Sequence, residues 1–450
     1  MWTCSAENLF SSACSAASLS NLNLARTGLA GFAGTGHFQA GNNLQSKNER
    51  KNSNKMSTAD IPSVRLAPRM ELVPFSGIRK VFERAKVLER DGHPVIFLET
   101  GRPDFDTPTH IKEAAKRALD AGDVHYTSNY GTSALREAIA EKLCRDNGLH
   151  YKPEGELLVT AGAAEAINVA FLALLDSGDE VLYAEPNWLN YAAVARLAGA
   201  VPVPYCLRES NGYQVDVDEL RRAISPRTRL LVVASPHNPT GVVQSPETLR
   251  RIAKLAVERD LVVLSDEIYE KIIYDGRAHV SLASLPAMWE RTLTVNGFSK
   301  AYSMTGWRIG YLAAPPPFIL AMNRVHQYTT ACACSFAQAG AVEALTGPQD
   351  CVRDMVREFE RRRNLFVPGI NTLRGLSCLQ PGGAFYAWVN IECMGVRSEE
   401  FSLKLLENEY VSCVPGTVFG AAGEGYIRFS YANSYERLAE TLERLKRFCN

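Results

Sequence analysis

No run of about eighteen apolar residues passes uninterrupted by a charge or a turn former, so the chain offers no membrane span and reads as soluble. Neither sign of charge is in excess. Lys plus Arg and Asp plus Glu each total 49, and no basic stripe could follow a nucleic-acid backbone, so no nucleic-acid partner is expected. The 11 cysteines are scattered; apart from Cys332-Ala-Cys334 they show neither the spacing of a disulfide framework nor the Cys/His pairing of a zinc site. Free thiols in a reducing compartment, and no metal, are expected. A nicotinamide-dependent enzyme is excluded too, because no Gly-rich loop follows an apolar run. Gly34-Thr-Gly36 opens such a loop, but Gln39 stands where its third small residue belongs.

What is present is core. A chain of 450 residues at 46% hydrophobic content can bury one large α/β domain and a smaller one. Residues 1–62 stand apart, being rich in Ser, Ala, Asn and Gly, with Glu7 and Glu49 as the only acids before Asp60. Such a composition cannot bury a core. A transit peptide for a plastid or mitochondrion is the expectation, with a disordered tail or translation from Met56 as alternatives.

Further on, apolar runs alternate with amphipathic stretches. Leu157-Leu-Val159, Val181-Leu-Tyr183, Leu230-Leu-Val-Val233, Leu261-Val-Val-Leu264 and Leu293-Thr-Val295 read as buried strands. Ala163 to Leu175 and Pro246 to Glu258 read as helices, the second capped by Ser245. The fold class is therefore α/β, a mostly parallel sheet with helices on both faces, plus a smaller α+β domain. The boundaries expected are 63–108 and 336–450 for the two parts of the small domain and 109–335 for the large one. Within the last segment Val352 to Phe366 reads as a charged helix, Phe385-Tyr-Ala-Trp388 and Tyr426-Ile-Arg-Phe429 as strands, and Ser434 opens a final helix.

Ligands of open α/β sheets bind beyond the carboxyl ends of the strands, so polar residues just after apolar runs carry the chemistry. Three runs end in Ser235-Pro-His-Asn-Pro-Thr-Gly241, Ser265-Asp-Glu-Ile-Tyr269 and Asn296-Gly-Phe-Ser-Lys300. They bring an amide, a carboxylate, a phenol and an amine to one sheet edge. A further exit, Thr160-Ala-Gly-Ala-Ala164, leads straight into a helix whose N–H groups and dipole favour an anion such as phosphate. Singly, Asp266 could be a helix cap, Lys300 a solvated lysine and Asn238-Pro-Thr-Gly241 a turn. Together they suit a phosphorylated, electron-withdrawing cofactor. A lysine bound to it must lose its proton near neutral pH, and a carboxylate facing a pyridine nitrogen keeps that nitrogen protonated.

The run Thr294-Val-Asn-Gly-Phe-Ser-Lys-Ala-Tyr-Ser-Met-Thr-Gly-Trp-Arg-Ile-Gly-Tyr311 carries a resemblance, as do Glu185-Pro-Asn-Trp-Leu-Asn-Tyr191 and His125-Tyr-Thr-Ser-Asn-Tyr-Gly131. From about Leu72 to the C-terminus the chain resembles the class I, fold-type I pyridoxal-phosphate aminotransferases, in the aspartate and prephenate aminotransferase branch. The resemblance implies pyridoxal 5'-phosphate as cofactor, with Lys300 as Schiff-base residue and proton shuttle. Arg308 and Ser299 would hold the phosphate with Gly162, Ala163 and Ala164. Asp266 would pair with the pyridine nitrogen, Tyr269 and Asn238 with the phenolic oxygen, and Trp188 would stack on the ring. Tyr126 is similar to the tyrosine that reaches the phosphate of the neighbouring subunit, which implies a homodimer with shared active sites. Arg428 matches the clamp for the substrate α-carboxylate, with the Gly101 N–H beside it, and Trp188 and Asn238 also border the substrate.

The chain departs from that branch in two places. Where the branch commonly reads Gly-Gly-Lys-Gln it has Gly162-Ala-Ala-Glu165, and Arg102 follows Gly101 where Glu or Gln is usual. No residue is singled out for a distal substrate carboxylate. Arg277, His279, Arg324 and His326 are candidates, each with a surface or packing role as the alternative.

The expected activity is transfer of an amino group from an L-amino acid, aspartate-like, to a 2-oxo acid such as 2-oxoglutarate by a ping-pong route. The alternatives are an aminotransferase for alanine, aromatic amino acids or kynurenine, or a pyridoxal-phosphate lyase, which would share nearly every residue named. An effector-sensing regulator would need an N-terminal DNA-reading domain, for which the leader has neither basic helices nor length.

Overall fold

Five of the apolar runs form strands where expected, and two further strands complete the sheet. The structure is a computed structural model of the chain and describes residues 65–450, which make one compact unit, Arg65–Asn450. The leader, Gly34-Thr-Gly36 and Met56 lie outside the described residues. A short strand β1 (Ile96–Phe97) is followed by β2 (Leu157–Thr160), β3 (Glu180–Glu185), β4 (Val201–Cys206), β5 (Thr228–Ala234), β6 (Val262–Asp266), β7 (Thr292–Gly297) and β8 (Gly310–Ala313). The last seven make one sheet in the order β2-β8-β7-β6-β5-β3-β4. Every pairing from β4 across to β7 is parallel, whereas β8 runs antiparallel to β7 and β2.

Alternate residues of each central strand enter different cores. Leu230 and Val232 pack with Ile167 and Phe171 on one face, while Leu231 and Val233 pack with Leu249 and Ile252 on the other. Both faces are thus covered by helices, which is why these strands read as unbroken apolar runs rather than alternating ones. The two unanticipated strands had weak signals for physical reasons. β4 holds Pro202 and Pro204, tolerable because it is the sheet edge and pairs with β3 alone. β8, Gly310–Ala313, begins and ends on the small residues Gly310 and Ala313 and so lacks the apolar run that marks the equally short β2.

Helices Ala163–Leu174 and Pro246–Glu258 fall as expected, and the Ser245 hydroxyl accepts the Thr248 N–H at 3.0 Å. Beyond the large sheet come β9 (Ser377–Cys378), β10 (Tyr386–Asn390), β11 (Val411–Ser412), β12 (Val414–Pro415) and β13 (Tyr426–Ser430). Four of them form an antiparallel sheet, β12-β13-β10-β9, and β11 pairs in parallel with β1. Helix Asp350–Ile370 extends the expected one at both ends, and Tyr435–Cys449 closes the chain. No helix among the described residues is long and apolar enough to cross a membrane.

The register sets the site. Ala234 pairs with Asp266, Asp266 with Val295 and Gly297 with Gly310, so β5, β6 and β7 end side by side and the start of β8 lies beside them. A Cβ at Gly310 would lie 2.5 Å from Ala163 N and 2.7 Å from Gly162 C, both backbone atoms that cannot swing away. Gly310→Ala is expected to cost about 1–3 kcal/mol of stability through this overlap. Urea unfolding measures it, and an unchanged midpoint would contradict this account of the junction.

Candidate active site

The strand exits converge on one cavity of about 430 Å³. Asn238 after β5, Asp266 and Tyr269 at and after β6, and Ser299 and Lys300 after β7 all line it. Ala163, Ala164 and Trp188 line it from the ends of β2 and β3, Arg308 from just before β8, Arg428 from β13, and Gly101 from the segment after β1. Two expected residues do not line it. Gly162 caps the helix behind Ala163, and Tyr126 is 89% exposed on a loop, turned to solvent in the single chain.

Lys300 donates from Nζ to the Gly101 carbonyl at 2.5 Å. Burial, reinforced by the charges of Arg428 and Arg308, pushes its amine down to about 8. Asp266 is raised above the usual carboxylate range by burial, although it accepts from the Tyr191 hydroxyl at 2.5 Å and the Ile268 N–H at 3.2 Å. A carboxylate so cut off from water gains most when a cation arrives beside it.

Arg428 is 1% exposed. Its Nη1 donates to Asn238 Oδ1 at 3.0 Å and its Nη2 to the Glu99 carbonyl at 2.6 Å, while Nε is buried without a partner. Tyr386 and Phe419 lie under the guanidinium, their ring centres 4.4 and 4.8 Å from its carbon. Carbonyls and rings satisfy dipoles without neutralising the charge, so the group is poised for an anion. The backbone alongside is tight: a Cβ at Gly101 would sit 2.7 Å from the Tyr386 hydroxyl, which itself meets the Tyr269 hydroxyl at 2.7 Å.

The anion cradle forms at the start of helix Ala163–Leu174. Gly162 adopts φ 86°, and the Ala163 and Ala164 N–H groups have no partner among the described residues. Arg308, in a left-handed conformation at φ 55°, donates to the carbonyls of Thr305 at 3.0 Å and Ala161 at 3.4 Å. Its guanidinium fills the space where a Cβ on Gly162 would be, 2.4 Å from Nη2. The departure at Glu165 is absorbed outside the cavity. Burial alone would raise its carboxyl, but bonds from His326, Thr330 and the Ala161 N–H hold it below the usual range.

None of the residues considered for a distal carboxylate lines the cavity. His279 pairs with Glu267 at 2.9 Å and His326 with Glu165 at 2.9 Å, while Arg277 lies 4.0 Å from Asp275 and Arg324 also lies elsewhere. Sequence reasoning missed Tyr191, Tyr386, Asn187 and Ile78 as lining residues, and it noted Arg102 without placing it there. Tyr191 and Asn187 flank the quoted Trp188, but the hydroxyl reaching Asp266 and the unpartnered buried Asn187 Nδ2 are tertiary facts.

A buried carboxylate awaiting a cation, free N–H groups at a helix start, and a lysine with a lowered pKa fit a phosphorylated pyridine aldehyde. A profile of the aminotransferase class I and II family matches residues 93–445. The chain belongs to this family. It is 44% identical to aromatic-amino-acid aminotransferase 2 of Thermococcus litoralis over 85% of this chain and 97% of that protein. Identity to the aspartate aminotransferase of Pyrococcus abyssi is likewise 44%, with the same coverage. The structure of Thermus thermophilus aspartate aminotransferase with maleate superposes at TM-score 0.81 and 42% identity, covering 85% of this chain and 99% of that one. The protein is a pyridoxal 5'-phosphate-dependent amino-acid aminotransferase of fold type I. The expectation of a plastid or mitochondrial address is corrected by the same relatives: they come from archaea and bacteria, cells without either organelle. A Ser-rich, acid-poor composition does not by itself specify an import signal.

A lysine ordinarily titrates near 10.4. With Lys300 lowered to about 8, the folded chain sheds this proton before the unfolded one, so the cost of burying the charge is relieved as pH rises from about 8 toward 10. Capture of pyridoxal phosphate by the cofactor-free chain should rise about tenfold from pH 7 to 9 and then level off. Stopped-flow absorbance checks this; a rise continuing past pH 10 would mean an ordinary lysine.

Proposed function

We propose that the enzyme moves an amino group from an aspartate-like L-amino acid to a 2-oxo acid such as 2-oxoglutarate, in two half-reactions at the cavity described. One observation carries this reading: the deprotonation-prone Lys300 shares a cavity with Arg428, a buried guanidinium that has no carboxylate partner among the described residues. Relatives named aspartate aminotransferase, one of them holding the dicarboxylate maleate, support the aspartate-like donor.

When bound, pyridoxal phosphate supplies an electrophilic aldehyde carbon and a ring that accepts the electron pair left as a Cα–H bond breaks. Asp266 would hold the ring nitrogen in its protonated form, and the Tyr191 hydroxyl keeps that carboxylate in place. The Ala163 and Ala164 N–H groups, Ser299 and Arg308 would hold the phosphate, and Gly162 lets the arginine approach. Tyr269 and Asn238, which line the cavity, would hydrogen-bond the phenolic oxygen, and Trp188 would stack on the ring. Arg428 and the Gly101 N–H grip the substrate α-carboxylate, turning the Cα–H bond toward Lys300. Lys300 Nζ, lowered to about 8, would take that proton and, once protonated, could give it back, acting first as base and then as acid. Tyr126, exposed in the single chain, would reach the phosphate in a second copy, two chains then sharing their sites in a homodimer.

Lys300→Ala should abolish turnover while circular dichroism shows the fold kept; full turnover in this variant would refute the assignment. Arg428→Ala should lower kcat/KM by about ten- to a hundredfold, chiefly through KM, as expected for losing a charge-assisted bidentate contact. Aspartate, alanine, phenylalanine and kynurenine, each supplied without acceptor, should be compared for release of one equivalent of 2-oxo acid per site. Aspartate should react fastest. Ammonia release, or product beyond one equivalent, would identify a lyase instead.

A further inference from the structure

Resting on the proposed amino-group transfer, we propose that Arg102 binds the second carboxylate of a dicarboxylic substrate and sets the preference for it over monocarboxylic amino acids. Four cationic side chains line the cavity, Arg102, Lys300, Arg308 and Arg428, against one carboxylate, Asp266. A phosphate answers Arg308, an α-carboxylate answers Arg428, and a ring nitrogen answers Asp266. Arg102 is left over. It is exposed at the cavity wall and has no hydrogen bond or ion pair among the described residues.

Its own loop cannot neutralise it, because the nearby acids are taken. Asp104 accepts from Arg362 at 2.7 Å and Asp106 from Lys112 at 2.5 Å. Those pairs also hold the loop still. Arg362 lies over the Phe105 ring at 5.0 Å, Thr107 donates to the Ser303 carbonyl at 2.8 Å, and the Gly101 carbonyl accepts from Lys300 at 2.5 Å. The Cα of Arg102 lies about 3.8 Å along the chain from that of Gly101. A substrate gripped at Arg428 and Gly101 by its α-carboxylate would extend its side chain past an arginine carried on a held loop, whose fork matches a carboxylate. Beyond Arg102, Lys300, Arg308 and Arg428, the groups lining the cavity supply no further cation.

The test uses the holoenzyme, titrated calorimetrically with succinate and with butanoate, which lacks the second carboxylate. In Arg102→Gln the ratio of succinate to butanoate affinity should fall about tenfold or more, and Arg102→Lys should recover part of it. The ratio of kcat/KM for aspartate over alanine should fall by a similar factor, mainly in KM. An unchanged ratio in Arg102→Gln overturns the assignment, as does an equal loss for both acids or a selective loss with phenylalanine, which would mark stacking on an aromatic side chain. The binding ratio is readable even if no amino group is transferred, so failure of the proposed reaction and failure of this role give different results.

Discussion

Unbalanced positive charge is the constraint around which this molecule is organised. The cavity gathers four cationic groups around a single carboxylate, and Arg428 among them is 1% exposed. Burying an ion without an opposite charge costs several kcal/mol, and the fold offsets that cost with dipoles rather than with acids. Arg428 rests on the Asn238 side chain, the Glu99 carbonyl and two aromatic faces, Arg308 on the carbonyls of Thr305 and Ala161, and Lys300 on the Gly101 carbonyl. Lys300 takes a further route by giving up its proton more readily. Because none of these partners is anionic, the attraction for phosphate and carboxylate is kept for the ligands.

Each of those partners comes from a different part of the chain. Arg428 sits on β13, paired with Trp388 of β10 in the antiparallel sheet, whereas Lys300 follows β7 in the parallel one. The segment around Gly101 bridges them: its carbonyl takes the lysine, and the neighbouring Glu99 carbonyl takes the arginine. A short stretch after β1 thereby gauges the distance between the base and the carboxylate clamp. This explains the absence of a side chain at Gly101, where even one carbon would collide with the Tyr386 hydroxyl.

Much of this was legible in the sequence because it is local. Buried parallel strands announce themselves as apolar runs, and the residues that follow such runs carry the chemistry, so Asn238, Asp266, Tyr269 and Lys300 could be picked out one exit at a time. What escaped depended on pairing across the chain. β4 hid behind its prolines, which only an edge position permits. Tyr386 was visible as part of a strand, but its bond to Tyr269 depends on how the two sheets meet. Arg102 was conspicuous as an odd residue, yet its lack of a partner became evident only once Asp104 and Asp106 were seen held by other bases. The leader misled because amino-acid bias does not report where a segment is sent.

The contact between Gly162 and Arg308 also constrains how such a chain can change over generations. The arginine occupies the space that any larger residue at 162 would need, with 2.4 Å between its Nη2 and the missing carbon. The two positions are locked together. A side chain at 162 would be strained by the φ of 86° in any case, and the space for it opens only if the arginine shrinks or withdraws, which removes a charge from the anion cradle. A change at either position of the pair therefore passes through a weakened cradle.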